Sequence, residues 1–488
     1  MTEVQVPTTY RSPVALWTAG LATAALGTWI MYDAMPGVNW VIWTLAAAVG
    51  LLLFVRSGLS LGSPMTWLST LAVVIAGGAS VTADPFLHAL ICVSVILLLA
   101  VAMLLSVDIR VERIKASFVI LAAPIAFVFA LAESLRRATE GLNLVRSPRV
   151  RAIVRGVALT VPILLIFALL LSTADPIFAL WRDTIHDLLA SWSFIPRTLF
   201  LLGMLAITLG AFGYADRGSV SGIPAISSPF SSSDRTSNRW LGSTERLILM
   251  GGVALLFWIF LAVQVSYLFG NLPSITGSGM TFAEYARRGF GELSVVASIT
   301  AILIIAAERY GKTDERQSLL RAITLLVIVA VFFLLASAFH RVSLYEDAYG
   351  YTTARLYAQV YMIVVAISFV ALVREVLTTL ELPRLFLRAW MTAALAFVVL
   401  IYWNHSAWIA DRNIDLYAST GKLDTAYLTR GLSADATPTL VRRLPSLPEP
   451  AKSQLREAVK KQYLHPHTDN WFEWNLGRVR AREASVRL

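Results

Sequence analysis

The chain has 488 residues, 57% hydrophobic and 15% charged, where soluble domains carry roughly 25% charged residues. With a mean hydropathy of +0.67, a single water-bounded core cannot hide the apolar surface, so a water-soluble fold is excluded and a bilayer is the solvent. A net charge of +10 would suggest nucleic acid in a soluble protein. Here no basic, aromatic-rich patch accompanies it, and the Lys/Arg excess falls in short loops, where it sets membrane orientation.

Twelve apolar segments are long enough to consider as spans: 14–32, 38–55, 67–83, 86–107, 116–133, 152–172, 197–213, 247–269, 289–307, 319–339, 359–373 and 389–403. A spanning helix takes about 20 such residues. Arg11 before 14–32 imitates a secretory signal. No small-residue cleavage site follows and more spans come directly after, so this reads as an uncleaved first helix. Cys92, the one cysteine, lies inside an apolar run and reads as a small buried hydrophobe.

A cytoplasmic N-terminus leaves the first two external connections, 33–37 and 84–85, free of Lys and Arg. Segment 116–133 is different, because both flanks are basic: Arg110, Arg113 and Lys115 before it, Arg136, Arg137, Arg146, Arg149 and Arg151 after it. It also contains Pro124. If it spans, one basic flank is on the wrong side. It is therefore expected to be re-entrant or to lie along the cytoplasmic face, which leaves eleven spans. The alternative is twelve spans with an external N-terminus. In both, loops 214–246, 308–321 and 374–388 are cytoplasmic, and 174–196, 270–288, 340–357 and the C-terminal region are external.

Thr82-Ala83-Asp84-Pro85-Phe86 returns as Thr173-Ala174-Asp175-Pro176-Ile177-Phe178. Asp followed by Pro suits a helix start, Asp as N-cap and Pro at the first helical position. Chance or shared capping chemistry explains the echo, and a duplicated half is the other reading. Residues 219–238 are rich in Ser, Gly and Pro and read as a cytoplasmic linker. The domain organisation is thus N-terminal transmembrane helices at 1–135, a core transmembrane region at 136–403 containing loop 214–246, and a helical extracytoplasmic region at 404–488. In that last region Leu423, Ala426, Tyr427 and Leu432, then Ala436, Leu440 and Leu444, have amphipathic spacing. Ser433-Ala434-Asp435 marks a helix start, and 451–463 is a further helix. Pro445, Pro448 and Pro450 make a hinge. The fold class is an all-α polytopic bundle of 11–12 spans with a small helical C-terminal region.

The span centres hold almost no ionisable residue, and such residues are the usual mark of an ion or substrate path. His88, Glu133, Glu292, Glu308 and Arg321 lie near span ends. A secondary transporter is disfavoured on this ground. Two external segments are richer. In the first, Glu284, Arg288 and Glu292 recur every four residues and would form an ion-pair ladder on one helix face. Arg287 or Arg288 could instead hold an anion. The second, residues 340–357, packs one His, two Arg, two acids and four Tyr into 18 residues. Here His340, Arg341, Glu346, Asp347, Tyr349 and Arg355 are the candidate site residues. Tyrosines suit a membrane interface, Gly350 allows a turn, and an acid beside His340 could serve acid/base work. Adjacent acids, however, point apart on a helix. No zinc spacing, phosphate loop, nucleophile elbow or kinase set is present. His465 and His467 flank Pro466 and read as a surface loop rather than a metal site. Trp471, Phe472 and Trp474 beside Asn475 read as an anchor onto the membrane or the bundle, with a ligand-stacking platform as the lesser reading.

These strings resemble a known family. Tyr285-Ala286-Arg287-Arg288-Gly289-Phe290-Gly291-Glu292-Leu293 and Arg341-Val342-Ser343-Leu344-Tyr345-Glu346-Asp347-Ala348-Tyr349-Gly350-Tyr351-Thr352 are similar to hallmarks of a bacterial group of multi-spanning membrane proteins of unknown function, DUF4153/DUF4173. Ala174-Asp175-Pro176-Ile177-Phe178, Leu423-Asp424-Thr425-Ala426-Tyr427-Leu428, Leu432-Ser433-Ala434-Asp435-Ala436-Thr437-Pro438 and Trp474-Asn475-Leu476-Gly477-Arg478 are similar too. The likeness runs from about Arg136 to the C-terminus. Gly350-Tyr351-Thr352 stands where the group has Gly-Leu-Thr, and Asn413-Ile414-Asp415 where it has Asn-Pro-Asp. The resemblance implies an integral membrane protein of the bacterial plasma membrane, with no reaction, substrate or cofactor attached.

The expectation is a non-enzymatic envelope sensor, assembly or accessory factor. Its partners would be the lipid bilayer and other envelope membrane proteins or lipid headgroups, with no cofactor, no metal and no nucleic acid. The rival is a transporter or enzyme for an anionic headgroup or solute. Arg288, Arg341 and Arg355 would bind the anion, with Glu346 or His340 as base.

Overall fold

Polar caps followed by proline open three of the first four helices. Ser12, Ser63 and Asp84 each accept a hydrogen bond from the backbone N–H three residues on, and Pro13, Pro64 and Pro85 take the first helical position, where no N–H is needed. The computed structural model describes residues 12–55, 63–106, 116–141, 194–217, 243–269, 290–310, 317–378, 380–421, 423–462 and 470–488. Within them run α1 (Pro13–Met31), α2 (Val38–Phe54), α3 (Pro64–Val81), α4 (Pro85–Leu105), α5 (Ala116–Gly141), α6 (Phe194–Arg217), α7 (Ser243–Phe269), α8 (Phe290–Tyr310), α9 (Gln317–Tyr349), α10 (Thr353–Leu377), α11 (Leu382–Tyr402), α12 (His405–Thr420), α13 (Thr437–Arg443), α14 (Ala451–Gln462) and α15 (Leu476–Ser485). Segment 152–172, the second Asp-Pro copy, the 219–238 linker and His465 and His467 lie outside the described residues.

Eight helices among the described residues are long and apolar enough to cross a membrane by length and composition: α1, α3, α4, α6, α7, α9, α10 and α11. α2 is apolar but shorter. No strand occurs among the described residues. The all-α polytopic bundle is therefore the fold.

The chain divides into two compact units. The first takes residues 1–226 with 467–476, the second 227–466 with 477–488. In the first unit, Gly20 of α1 meets Leu209 of α6, and Gly27 meets Met204. The rising number on one helix and falling number on the other show that α1 and α6 are antiparallel. α5 behaves oppositely. Ala130 meets Gly210, Glu133 meets Gly213, and Arg137 meets Asp216, so α5 and α6 run the same way. One core cluster joins Leu16 of α1, Phe54 of α2, Met65 of α3, Leu104 of α4, Ala130 of α5 and Phe212 of α6.

This cluster takes in the doubtful fifth segment. α5 has 26 residues, about 39 Å at 1.5 Å per residue, and is packed within the bundle rather than along its face. Yet the end of α4 and the second half of α5 share one cluster. The end of α4 and the second half of α5 thus lie at the same end of the unit. Arg136 and Arg137 are not loop residues. They belong to the last turns of α5, and Glu133 binds both.

In the second unit, Arg246 of α7 pairs with Glu308 of α8 at 2.7 Å. Arg321 of α9 donates to the Thr378 carbonyl after α10, and Arg388 of α11 pairs with Glu375 of α10 at 2.5 Å. These contacts gather the start of α9, the end of α10 and the start of α11 at one end. The end of α9 and the start of α10 lie at the other. There Leu356 of α10 joins Ile409, Ile414, Leu432, Leu440 and Leu455 in one cluster, so the C-terminal helices share a core with the span below them. Leu432, Ala436, Leu440 and Leu444 are buried in it, as their spacing predicts.

Candidate functional site

α9 has 33 residues, about 50 Å of helix, well over the roughly 30 Å hydrocarbon core. Its last turns carry the polar and aromatic residues 340–349, and the chain then turns sharply into α10. Gly350 makes the turn with φ +85°, a left-handed conformation that glycine adopts without cost. A Cβ there would also lie 2.6 Å from the Asn413 side-chain oxygen. Thr352 caps α10, its hydroxyl accepting from the Arg355 N–H.

Asn413 of α12 holds the corner. Its amide nitrogen donates to the Tyr351 carbonyl at 2.9 Å, and its oxygen accepts from the Tyr351 N–H at 2.7 Å. Two further contacts seat the C-terminal region. The Tyr427 hydroxyl accepts from the Thr353 N–H at 2.8 Å, and the Tyr357 hydroxyl lies 3.1 Å from His405 Nε2. The Tyr351 ring meets Trp408 edge-on.

The candidate side chains largely engage one another. Arg355 donates to the Gly350 carbonyl, and its guanidinium lies 4.2 Å from the centre of the Tyr345 ring, a cation–π distance. Tyr345 in turn packs on Tyr349 at 4.8 Å. Tyr351 donates to Asp347 Oδ1 at 3.3 Å. Burial, then the Asp347 carboxylate through its charge and its hydrogen bond, and then Glu346, push the Tyr351 phenol above its usual range. Arg412 opposes them.

Glu346 is 3% exposed. Its Oε2 accepts from Gln359 at 2.7 Å, while Oε1 has no hydrogen-bond partner. Asp347, the next residue, is exposed, as the helical geometry of adjacent acids requires. His340 is also exposed, about 240° around α9 from Glu346 at 3.6 residues per turn. The corner thus brings together Glu346, Asp347, Tyr349 and Arg355, but not His340. Arg341 is half-buried on α9. Glu284, Arg287, Arg288 and the side chain of Glu292 lie outside the described residues.

Gln359, Asn413, Tyr427 and His405 are the partners that inspection of 340–357 alone misses. Asn413 and Tyr427 do stand in two of the strings that carry the family likeness. That is the signal by which they could have been assigned. Replacing Asn413 with Ala is expected to lower stability by about 2 kcal/mol, two hydrogen bonds at about 1 kcal/mol each. Asn413→Asp, which keeps the acceptor and loses the donor, should cost less. Thermal unfolding in detergent checks both, and an Ala variant as stable as wild type would remove Asn413 from this role.

At one end of the first unit sits a second polar arrangement. Asn475 is 1% exposed, and its amide donates to the carbonyls of Ala79 and Thr82 at 2.8 and 2.7 Å. These are carbonyls at the end of α3, which a helix leaves without internal partners. His88 Nε2 also meets the Thr82 carbonyl at 2.7 Å, and the Trp474 carbonyl accepts from Val38 N–H at the start of α2. Here the first Asp-Pro motif and the aromatic tail string come together.

Comparison with known proteins gives one match. A family model described as a domain of unknown function, DUF4153, matches residues 69–443. No curated protein matches the chain, and no solved structure does.

Proposed function

Because the chain belongs to the DUF4153 family and is an integral membrane protein by its many apolar helices, we propose that it serves the bacterial plasma membrane as a non-enzymatic sensor, assembly or accessory factor. The corner at 340–357 and the C-terminal helices form its extracytoplasmic recognition surface. The observation that carries this reading is the use to which the corner puts its polar groups. Asn413, Tyr427 and His405 bind it to the C-terminal region, and Arg355 is stacked on Tyr345 and bonded to the corner's own backbone. Such groups build a platform. In the second unit Arg321 and Arg388 both bind the end of α10, at the opposite end, and the positive-inside rule favours that end as the cytoplasmic one.

A second reading is a transporter or enzyme acting on an anionic headgroup or solute, with Arg341 and Arg355 on the anion and Glu346 as base. One observation favours it: a buried carboxylate oxygen without a hydrogen bond is costly, and such groups gather at functional sites.

A photo-crosslinking residue in place of the exposed Tyr349, in intact cells, tests the two together. The expected product is an adduct with another membrane protein. A lipid adduct, or an anionic ligand retained by purified wild type and lost from folded Arg341→Ala, would overturn the platform reading in favour of the second. The side of the membrane has its own check. Ser453→Cys in a Cys92→Ala background should react with an impermeant thiol reagent on intact cells; reaction only after permeabilisation would reverse the orientation.

A further inference from the structure

The tail between Asn470 and Leu476 has two faces. Phe472, Glu473 and Asn475 are buried, whereas the indoles of Trp471 and Trp474 are 63% and 44% exposed. The buried face is the latch already described, with Asn475 on the end of α3 and the Trp474 carbonyl on the start of α2. Beyond the exposed Asn470, the exposed face is aromatic, because the one charged side chain of the segment, Glu473, is turned inward and accepts from Asn470.

What covers that face follows from α1. The exposed large side chains of α1 are Val14, Leu21 and Trp29, seven and eight residues apart, so they form one stripe at 3.6 residues per turn. On a membrane-length helix, such a stripe faces lipid. It ends at Trp29, in the last turn before Met31. The Trp471 and Phe472 rings both meet Trp29 edge-on, each at 6.1 Å. Trp471 therefore prolongs the lipid-facing stripe at the level where the helix leaves the hydrocarbon. Indoles, with an apolar body and one N–H, favour that layer.

We propose that the 470–476 segment is an interfacial anchor: Asn475 latches it to the helix ends, and Trp471 and Trp474, with Trp29, enter the headgroup–acyl boundary of the bilayer. The partner is a lipid surface, recognised by its interfacial chemistry rather than by a particular headgroup.

The test places a nitroxide label on a cysteine at position 471 or 474 of the full chain, in the Cys92→Ala background. The protein is reconstituted in vesicles of phosphatidylethanolamine and phosphatidylglycerol. A third label at Ser453, an exposed residue of α14, is the aqueous reference. Power saturation should show labels 471 and 474 colliding with oxygen, which dissolves in lipid, several-fold more than with a water-soluble nickel chelate, relative to label 453. Equal behaviour at all three positions would overturn the proposal, since the indoles would then face water. Shielding from both relaxers would overturn it too, in favour of a protein contact. The latch bonds come from the Asn475 amide and the Trp474 main-chain carbonyl, so replacing either indole removes none of them. Should Trp471→Cys fail to fold, the label at 474 still decides.

Discussion

Gly210→Ala is expected to abolish most of the folded protein, although it adds only a methyl group. An ideal Cβ on Gly210 would stand 1.9 Å from the Ala130 carbonyl oxygen, 2.4 Å from its carbon and 2.8 Å from its Cα. All three atoms are backbone, so no side chain can swing away, and α5 as a whole would have to retreat from α6. Overpacking in a tight core typically costs about 1–3 kcal/mol, and occasionally more. A rigid backbone obstacle puts this site at the upper limit or above it. The gain in helix propensity from Gly to Ala returns only about 1 kcal/mol. Gly203, two turns earlier on α6, has nothing within 4 Å of its Cβ position, and Gly203→Ala should be neutral or slightly stabilising. The two variants separate packing from propensity on one helix. Monodisperse yield and thermal midpoint in detergent are the readouts, and equal midpoints for Gly210→Ala and wild type would refute the close approach of α5 and α6.

The second large effect belongs to Arg137. Its side chain is 9% exposed and reaches Glu133 at 3.0 Å and Asp216 at 3.1 Å, whose side chains are 4% and 2% exposed. The guanidinium neutralises two carboxylates drawn from two helices. In Arg137→Met both carboxylates remain, Glu133 keeping Arg136 while Asp216 loses its ion pair with Arg137, in a place where their mutual repulsion is poorly screened. Breaking a buried charge pair from one side typically costs about 3–5 kcal/mol. Removing the three charges together should cost far less, because the two buried carboxylates are gone and Arg136, left without Glu133, is itself about one-third exposed. The triple variant Glu133→Gln, Arg137→Met, Asp216→Asn is therefore expected to recover most of the stability lost by Arg137→Met. A triple variant no better than the single one would mean that Arg137 acts through packing of its stem rather than its charge.

Both predictions concern α5, the segment where the sequence was most ambiguous. Its basic flanks gave the expectation of a stretch with no net crossing. They signalled it through loop charge alone, and two of those charges, Arg136 and Arg137, turned out to be helical and ion-paired. The 340–357 corner shows the same division. Its turn at Gly350 and the divergence of Glu346 from Asp347 follow from local geometry. The docking of Asn413 on Tyr351 joins residues 62 apart, and no periodicity reports such a pairing. The aromatic tail is the extreme case. Its composition announced an anchor, but the seat of Asn475 on Ala79 is a contact across 396 positions.

Some properties depend on groups within a few residues of one another, and these were readable without coordinates. They include the need for a bilayer, the capped helix start at Asp84, the apolar segments and the family strings. Hydrophobic transfer and helix capping act at short range along the chain, so a linear reading captures them. Other properties arise only when distant helices meet: the common direction of α5 and α6, the burial of Arg137, the loss of His340 from the corner, and the latch at α3. Each is set by which surfaces come close enough to exclude solvent, and only the tertiary structure decides that.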